Sequence, residues 1–254
     1  MAASPSHKFG QDLGNLLEEV VLYEILKPRL ERFSQSKKYY LDCKGKRSAR
    51  KGKKVSWMDK YGNRHDLDFV IEIGGTDQKI GSPIAFIEAA WRRYTKHSKN
   101  KAQEIQGALL PIIELHHLSA PFYGVVLAGE FTESALAQLR NNNFAVIYIP
   151  YLDVVKAFAV VGFDIAFNEA TSDATFKRAG KKLKSLTHNE KVAIRQKLTE
   201  LSKKETDRFM EKLKAALERH IKRIILLPLF GKKFEFTSVV DALSKIDSFE
   251  LGKL

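Results

Sequence analysis

The strongest constraint on the fold is an alternation of segment types in the middle of the chain. Residues 122–131 (FYGVVLAGEF) and 144–151 (FAVIYIPY) are rich in β-branched and aromatic residues, which favour strands. Residues 132–143 (TESALAQLRNNN), which lie between them, have the character of a helix. A strand–helix–strand unit predicts an α/β fold with a partly parallel sheet that is covered by helices.

The segments before this unit extend the predicted sheet. The runs LDFVIEIGG, at residues 67–75, and PIAFIEAAW, at residues 83–91, predict two adjacent strands of a hairpin. Residues 99–116 predict a helix, and residues 9–33 predict another, with Pro28 near its end. The short apolar runs YYLDC and VSWM predict two more strands, which the glycine-containing segment KGKRSARKGKK would join.

The last third of the sequence has a different character. Residues 187–219 are basic and helical in pattern, with capping boxes that predict separate helix starts at Thr187 and Ser202. A hairpin and a short helix are predicted to follow. We therefore expect an α/β core at residues 1–168, a mixed sheet flanked by helices, and a basic helical appendage at residues 169–254.

The net charge of +13 is concentrated in two regions. Residues 37–64 carry 11 basic and 2 acidic side chains, and residues 171–226 carry 16 basic and 7 acidic side chains. The intervening residues 65–170 carry 8 basic and 12 acidic side chains. Two basic regions around an acidic middle are typical of a protein that binds nucleic-acid phosphates next to a metal site. The alternative is that these lysines are solvent-exposed surface residues without a binding role.

Other classes of function are less compatible with the composition. The single cysteine, Cys43, allows no internal disulfide and no cysteine-rich zinc site. No run approaches the roughly 20 apolar residues of a membrane-spanning helix, and residues 1–10 lack the apolar core of a secretory signal. We expect a protein of the bacterial or archaeal cytoplasm with no membrane partner.

Two carboxylates lie where the pattern predicts buried strands: Asp68 in HDLDFVIE and Glu88 in AFIEAAW. A buried carboxylate costs several kcal/mol unless it has a partner. In a hairpin of suitable register the two side chains lie next to each other, where they repel unless a cation bridges them. Oxygen ligands without cysteine or histidine favour Mg²⁺.

These residues and the order of the predicted elements resemble the PD-(D/E)XK nuclease superfamily, which includes many type II restriction endonucleases. The resemblance covers about residues 9–150. It implies that Asp68 and Glu88 bind Mg²⁺ and that water hydrolyses a phosphodiester bond of double-stranded DNA, leaving a 5′-phosphate. Family members often carry a further glutamate on the first helix, which Glu18 matches, and Glu24 competes for that role because it lies nearer the centre of the apolar stripe.

The sequence departs from the family at one position. Two residues after Glu88, where the family has a lysine that orients or deprotonates the attacking water, this chain has Ala90. We expect Lys101, on the inward face of the next helix, to replace it, with Arg92 as the second candidate and Lys96 as the third.

The predicted function is therefore a Mg²⁺-dependent DNA endonuclease. Its predicted contacts with nucleic acid are Lys46, Arg47, Arg50, Lys51, Lys53, Lys54, Arg93, Lys96 and Lys99. Two alternatives stay open: a DNA-binding module of the same fold without catalysis, and an RNA-processing nuclease. A homodimer, formed through the C-terminal helices, is also left open.

Overall fold

A computed structural model describes residues 4–92, 98–168, 170–219 and 221–248. The helices are α1 (Pro5–Leu17), a π-helical segment (Glu18–Leu26), α2 (Lys27–Ser36), α3 (Ser98–Leu115), a 3-10 turn (His117–Ser119), α4 (Glu133–Asn141), α5 (Tyr151–Ala159), α6 (Asp173–Lys184), α7 (His188–Leu217) and α8 (Val239–Asp247). The strands are β1 (Tyr40–Cys43), β2 (Val55–Met58), β3 (Arg64–Leu67), β4 (Phe69–Ile73), β5 (Ser82–Arg92), β6 (Phe122–Gly129), β7 (Ala145–Pro150), β8 (Ile224–Leu226) and β9 (Phe234–Phe236).

A mixed sheet of five strands, in the order β1-β4-β5-β6-β7, forms the centre of the fold. The pairs β1/β4 and β4/β5 are antiparallel, whereas β5/β6 and β6/β7 are parallel. The parallel pairs require crossover connections, which α3 and α4 supply, and Thr132 caps α4 by accepting from the backbone N–H of Ala135 at 3.2 Å. The predicted α/β class, with a mixed sheet flanked by helices, is confirmed.

Apolar side chains pack on both faces of this sheet. On one face lie α1, the π-helical segment, α2, α5, α6 and α7, with Leu13, Leu22, Phe158 and Phe209 among the buried residues. On the other face lie α3 and α4, with Ile105, Leu109 and Leu139. Each strand that faces helices on both sides has an almost uninterrupted apolar sequence for this reason.

The two short strands predicted before residue 60 form, but they do not pair with each other. Instead β1 is an edge strand of the central sheet, and β2 pairs with β3 in a separate two-stranded sheet. The segment between β1 and β2 is folded around the guanidinium of Arg47, which is 4% exposed.

All three guanidinium nitrogens of Arg47 donate hydrogen bonds. Its nitrogens donate to Asp42 Oδ2 at 2.8 Å, to Glu72 Oε1 and Oε2 at 2.7 and 2.9 Å, and to the backbone oxygens of Thr76 and Lys79. Asp42 and Glu72 are themselves 3% and 0% exposed. One arginine therefore compensates two buried carboxylates and connects β1, β4 and the turn that follows β4.

The C-terminal third divides differently from the expectation. The chain splits into a unit at residues 1–217 and a second at residues 218–254, rather than after residue 168. Helices α6 and α7 belong to the first unit because Phe176, Ile194, Leu198 and Phe209 are buried in its core. In the second unit, β8 and β9 form the predicted hairpin and α8 the predicted last helix.

The prediction of two helices within residues 187–219 is wrong. Thr187 and Glu190 do form a capping box, with reciprocal hydrogen bonds of 2.8 and 3.3 Å. Ser202 does not start a second helix, because it is buried within α7 and its hydroxyl donates to the backbone oxygen of Leu198 at 2.7 Å. Among the described residues, no helix combines the length and the apolar character needed to cross a membrane.

Replacing Arg47 by Met should lower the free energy of unfolding by roughly 3–5 kcal/mol, because the buried Glu72 would lose its only cationic partner among the described residues and Asp42 would keep only Arg50. Urea unfolding of both proteins measures the difference. Lys46→Met is the matched control, since Lys46 is the exposed neighbour of Arg47 and its loss should change stability by less than about 0.5 kcal/mol. Equal stability of the two variants would contradict this account of the loop.

Candidate metal centre

The register of β4 and β5 places the two predicted carboxylates next to each other. Phe69 pairs with Ile87 across the antiparallel strands, so Asp68 and Glu88 form the adjacent opposing positions. Asp68 is the single residue between β3 and β4, where the chain passes from the outer hairpin into the central sheet. The predicted proximity of Asp68 and Glu88 is thus a property of the strand register.

Backbone hydrogen bonds hold Asp68 against β5 on both sides of Glu88. The N–H of Asp68 donates to the backbone oxygen of Ile87 at 3.3 Å. Its carboxylate Oδ2 accepts from the N–H of Ala89 at 2.8 Å. Because this uses one carboxylate oxygen, the other remains for a ligand.

Glu88 is not compensated in this way. Its Oε2 is buried and has no hydrogen-bond partner among the described residues. Burial raises the pKa of Glu88 to about 8, and the negative charge of Asp68 acts in the same direction. Burial also raises the pKa of Asp68 to about 6, against the effect of the hydrogen bond from Ala89. Two such carboxylates are stabilised in their ionised form by a bound cation.

Helix α1 and β5 form the walls of a cleft of about 620 Å³ that contains both carboxylates. The helix approaches closely at Gly14, where a Cβ atom would lie 2.8 Å from Trp91 Cδ1. The indole Nε1 of Trp91 donates to the backbone oxygen of Gly10 at 3.2 Å. Gly10, Gly14 and Glu18 are spaced by four residues, so they share the helix face that lines the cleft.

This geometry distinguishes Glu18 from Glu24. Glu18, the first residue of the π-helical segment, lines the cleft, and its charge raises the pKa of Asp68. Glu24 instead lies 3.1 Å from Arg195 of α7, on the exposed side. Of the two glutamates that the sequence left open, Glu18 is the one beside the carboxylate pair.

Lys101 lies on the first turn of α3 with a side chain that is 16% exposed. Its positive charge lowers the pKa of both Asp68 and Glu88. Glu104, one turn later, accepts a hydrogen bond of 2.7 Å from its ammonium. The sequence did not single out Glu104, although its spacing from Lys101 is that of a helical ion pair.

The other candidates for the missing lysine are placed less favourably or lie outside the described residues. Arg92 ends β5, where its guanidinium donates to the backbone oxygen of Trp91 at 2.9 Å and lies 3.9 Å from Glu104. Ala90 pairs with Leu127 of β6 and has no functional group. Lys96, the third candidate, lies outside the described ranges, as does Arg93, a predicted nucleic-acid contact.

The predicted nucleic-acid contacts fall into two groups. Arg47 does not fit this role, because its guanidinium is buried and bound to protein groups. Arg50 is similarly engaged by Asp42 and by the backbone oxygens of Cys43 and Gly52. The remaining side chains in the described residues are exposed, namely Lys46, Lys51, Lys53, Lys54 and Lys99.

Tyr23 is a further residue that the sequence did not indicate, since its position resembles that of any aromatic in the apolar stripe. Its hydroxyl is buried without a partner among the described residues. Burial raises the pKa of Tyr23 to about 12, and the negative charges of Asp68 and Glu18 act in the same direction. Its ring packs on Phe69, the residue after Asp68, with centroids 5.9 Å apart.

The donor set fits a cation that keeps part of its hydration shell. Within the described ranges, no group of three or more His, Cys, Asp or Glu side chains converges. The role of Glu18 as a third ligand therefore stays a prediction. Two carboxylates, one with an unpartnered buried oxygen, suit Mg²⁺, which commonly binds through one or two carboxylates and retains several waters.

Gly14→Ala should destabilise the protein, although alanine favours a helix by about 1 kcal/mol, because the new Cβ would overlap Trp91. Gly10→Ala is the matched control on the same helix, since a Cβ atom at that position would meet no atom within 4 Å beyond its own helix backbone and chain neighbours, and it should stabilise the protein. Urea unfolding measures both. A stabilising Gly14→Ala would contradict the close packing described above.

Glu88→Gln should stabilise the metal-free protein near pH 9 and change it little near pH 4.5. The folded-state pKa of Glu88, about 8, exceeds the value of about 4.3 for an unfolded glutamate. The destabilisation by ionised Glu88 therefore develops as the pH rises from about 4 to 8 and is complete above that range. Thermal midpoints at the two pH values measure the effect.

The control for this experiment is Glu211→Gln, at an exposed position of α7. It should show no difference in stabilisation between the two pH values. If Glu88→Gln changes the thermal midpoint equally at both, the carboxylate is not buried in its ionised form as described.

Comparisons with known proteins identify no family. No protein-family profile matches the chain, and no curated protein sequence matches it. A solved structure described as a protein of unknown function, AF1548, is similar over 61% of this chain and 93% of its own length, with 9% identity and a TM-score of 0.30. A similarity at this level carries no functional inference.

Proposed function

We propose that the protein is a Mg²⁺-dependent endonuclease that hydrolyses phosphodiester bonds of double-stranded DNA, with a restriction-endonuclease-like core. The observation that carries the proposal is the pair Asp68 and Glu88 on adjacent strands, with an unpartnered buried oxygen on Glu88. A structural ion pair would have satisfied that oxygen, as Arg47 satisfies Glu72. The pair instead opens into a cleft.

The proposed metal would be held by Asp68 and Glu88. When bound, Mg²⁺ supplies Lewis-acid polarisation of a phosphate oxygen and favours ionisation of the attacking water. Asp68 Oδ2 accepts the hydrogen bond from Ala89. Asp68 Oδ1 and the two oxygens of Glu88 are then the atoms that would coordinate the metal. The rigid backbone of β4 and β5 fixes their separation before the ligand arrives.

Lys101 would take the role of the lysine that is missing at Ala90. It comes from α3, and its charge already acts on both carboxylates. Glu104 holds the ammonium by a hydrogen bond at the surface, where Glu104 is 63% exposed. In this role Lys101 would contact the attacking water or the scissile phosphate, and Glu104 would orient it.

Exposed cations beside the cleft support a polyanionic substrate. Lys44 lies 3.7 Å from Glu18 at one side. A neighbouring groove, which shares Asp12 with the cleft, is lined by a row of lysines on one face of α6. Their spacing of four and three residues places them in one line: Lys177, Lys181 and Lys184. Such a row can follow a phosphate backbone.

The test is cleavage of supercoiled plasmid DNA with Mg²⁺. Asp68→Asn and Glu88→Gln should each abolish cleavage while leaving duplex binding in place, because they remove the proposed metal ligands. Lys101→Met should lower the rate by a factor on the order of 100 or more. Adding Ala90→Lys to Lys101→Met should restore part of the activity, since the new ammonium would lie beside Glu88 on β5.

Lys156→Met is the matched control for Lys101, because Lys156 also pairs with a carboxylate three residues away on its helix, Asp153, and is not among the predicted DNA contacts. It should cut at nearly the rate of the unmodified protein. Undiminished cleavage by Asp68→Asn or Glu88→Gln would refute the metal site. Duplex binding without any cleavage would favour the non-catalytic DNA-binding alternative, which the alanine at position 90 also supports. Preferential cleavage of structured RNA would favour an RNA-processing nuclease.

A further inference from the structure

The hairpin of β2 and β3 is a two-stranded ribbon fixed to the core by one face. Val55 and Leu67, which pair with each other, are buried against α3 and β5. Trp57 packs edge-on against Phe86 and His116, with ring centroids 5.8 and 5.6 Å away. The inner face of the ribbon therefore belongs to the core, and its outer face is exposed.

The turn of the ribbon is held in one conformation. The carboxylate of Asp59 accepts from the backbone N–H groups of Tyr61 and Asn63 at 2.8 and 2.9 Å and lies 2.9 Å from the Nε2 of His65. The backbone N–H of Lys60 donates to Pro111 of α3 at 3.3 Å. The tip is thus ordered without a partner, which reduces the entropy lost on binding.

This ordered tip exposes apolar side chains. Tyr61 is 70% exposed and Met58 is 51% exposed. Lys60 lies between them in the chain and Arg64 follows them; the ammonium of Lys60 lies 4.8 Å from the centroid of the Tyr61 ring and 2.6 Å from Glu114 Oε1. A rigid aromatic side chain between cations is a common contact for nucleic acid, since the ring packs on sugars or bases and the cations pair with phosphates.

The outer face of the ribbon leads directly to the candidate metal centre. Arg64 and Asp66 alternate along β3, so they lie on the same side of it, and Asp68 follows at the bend between β3 and β4. The charge of Asp66 is balanced by Lys54, 2.5 Å away, and by a hydrogen bond from Ser56. A ligand that crosses Asp68 can therefore continue over this face without meeting an unpaired carboxylate.

We propose that this outer face, from Asp66 to the tip at Tyr61, is a second contact surface for duplex DNA, beyond the bond that is cut. The inference rests on the proposed function. From Asp68 the chain reaches back at most about 13 Å to Arg64 and at most about 23 Å to Tyr61. At a rise of about 3.4 Å, these distances correspond to roughly 4 to 7 base pairs from the scissile phosphate.

Duplex DNA is favoured over a protein partner by the continuity of charge. The exposed lysines at positions 51, 53 and 54 immediately precede β2 and extend the cationic surface from the ribbon. In the proposed complex Met58 and Tyr61 contact the groove and Arg64 contacts a phosphate. Small apolar and aromatic side chains at the tip of a rigid ribbon are of a size to enter a groove of DNA.

The test is equilibrium binding of a 24-base-pair fluorescent duplex to the full chain in the presence of a chelator, so that no cleavage occurs. The double variant Met58→Ala with Tyr61→Ala should weaken binding roughly tenfold. Tyr61→Phe, which keeps the ring, should retain most of the affinity. Arg64→Gln should reduce the slope of log affinity against log salt by about 1.

Leu118→Ala is the matched control, because Leu118 is 92% exposed on the 3-10 turn and lies outside the ribbon. It should bind the duplex as tightly as the unmodified protein does. All variants should have the thermal midpoint of the unmodified protein. Unchanged affinity of the double variant, or an equal loss in Leu118→Ala, would overturn the ribbon proposal and leave the proposed nuclease standing. Failure of the unmodified protein to bind the duplex would overturn both.

Discussion

The antiparallel register of β4 and β5 is the constraint on which the candidate site depends. It pairs Phe69 with Ile87 and so brings Asp68 opposite Glu88. A slip of one strand by one residue would turn its carboxylate to the opposite face of the sheet and so separate Asp68 from Glu88. The buried side chains on both faces of the sheet thus fix the position of the site.

Two groups of buried carboxylates in this sheet differ in what surrounds them. Asp42 and Glu72 are satisfied by Arg47, which makes them part of the stable framework. In the described part of the chain, Asp68 and Glu88 share no such arginine, and one oxygen of Glu88 has no partner. The same chemical groups are structural at one end of β4 and available for a ligand at the other.

The packing of α1 against β5 also fixes the position of the cleft wall. Gly14 allows α1 to approach Trp91, and the same helix face then presents Glu18 one turn later. A larger residue at position 14 would displace the wall of the cleft together with this carboxylate. The close packing and the proposed chemistry therefore depend on the same glycine.

The sequence by itself determined the alternation of strands and helices and the two carboxylates within apolar strands, because burial leaves a regular pattern in the residues. Only the tertiary structure decided that Arg47 is buried while Lys46 is exposed, since their roles depend on carboxylates 5 and 25 residues away from Arg47 in the chain. It also placed Glu18 rather than Glu24 at the cleft. Local patterns specify which residues are buried, whereas the partner of each charge depends on contacts between distant segments that no local pattern records.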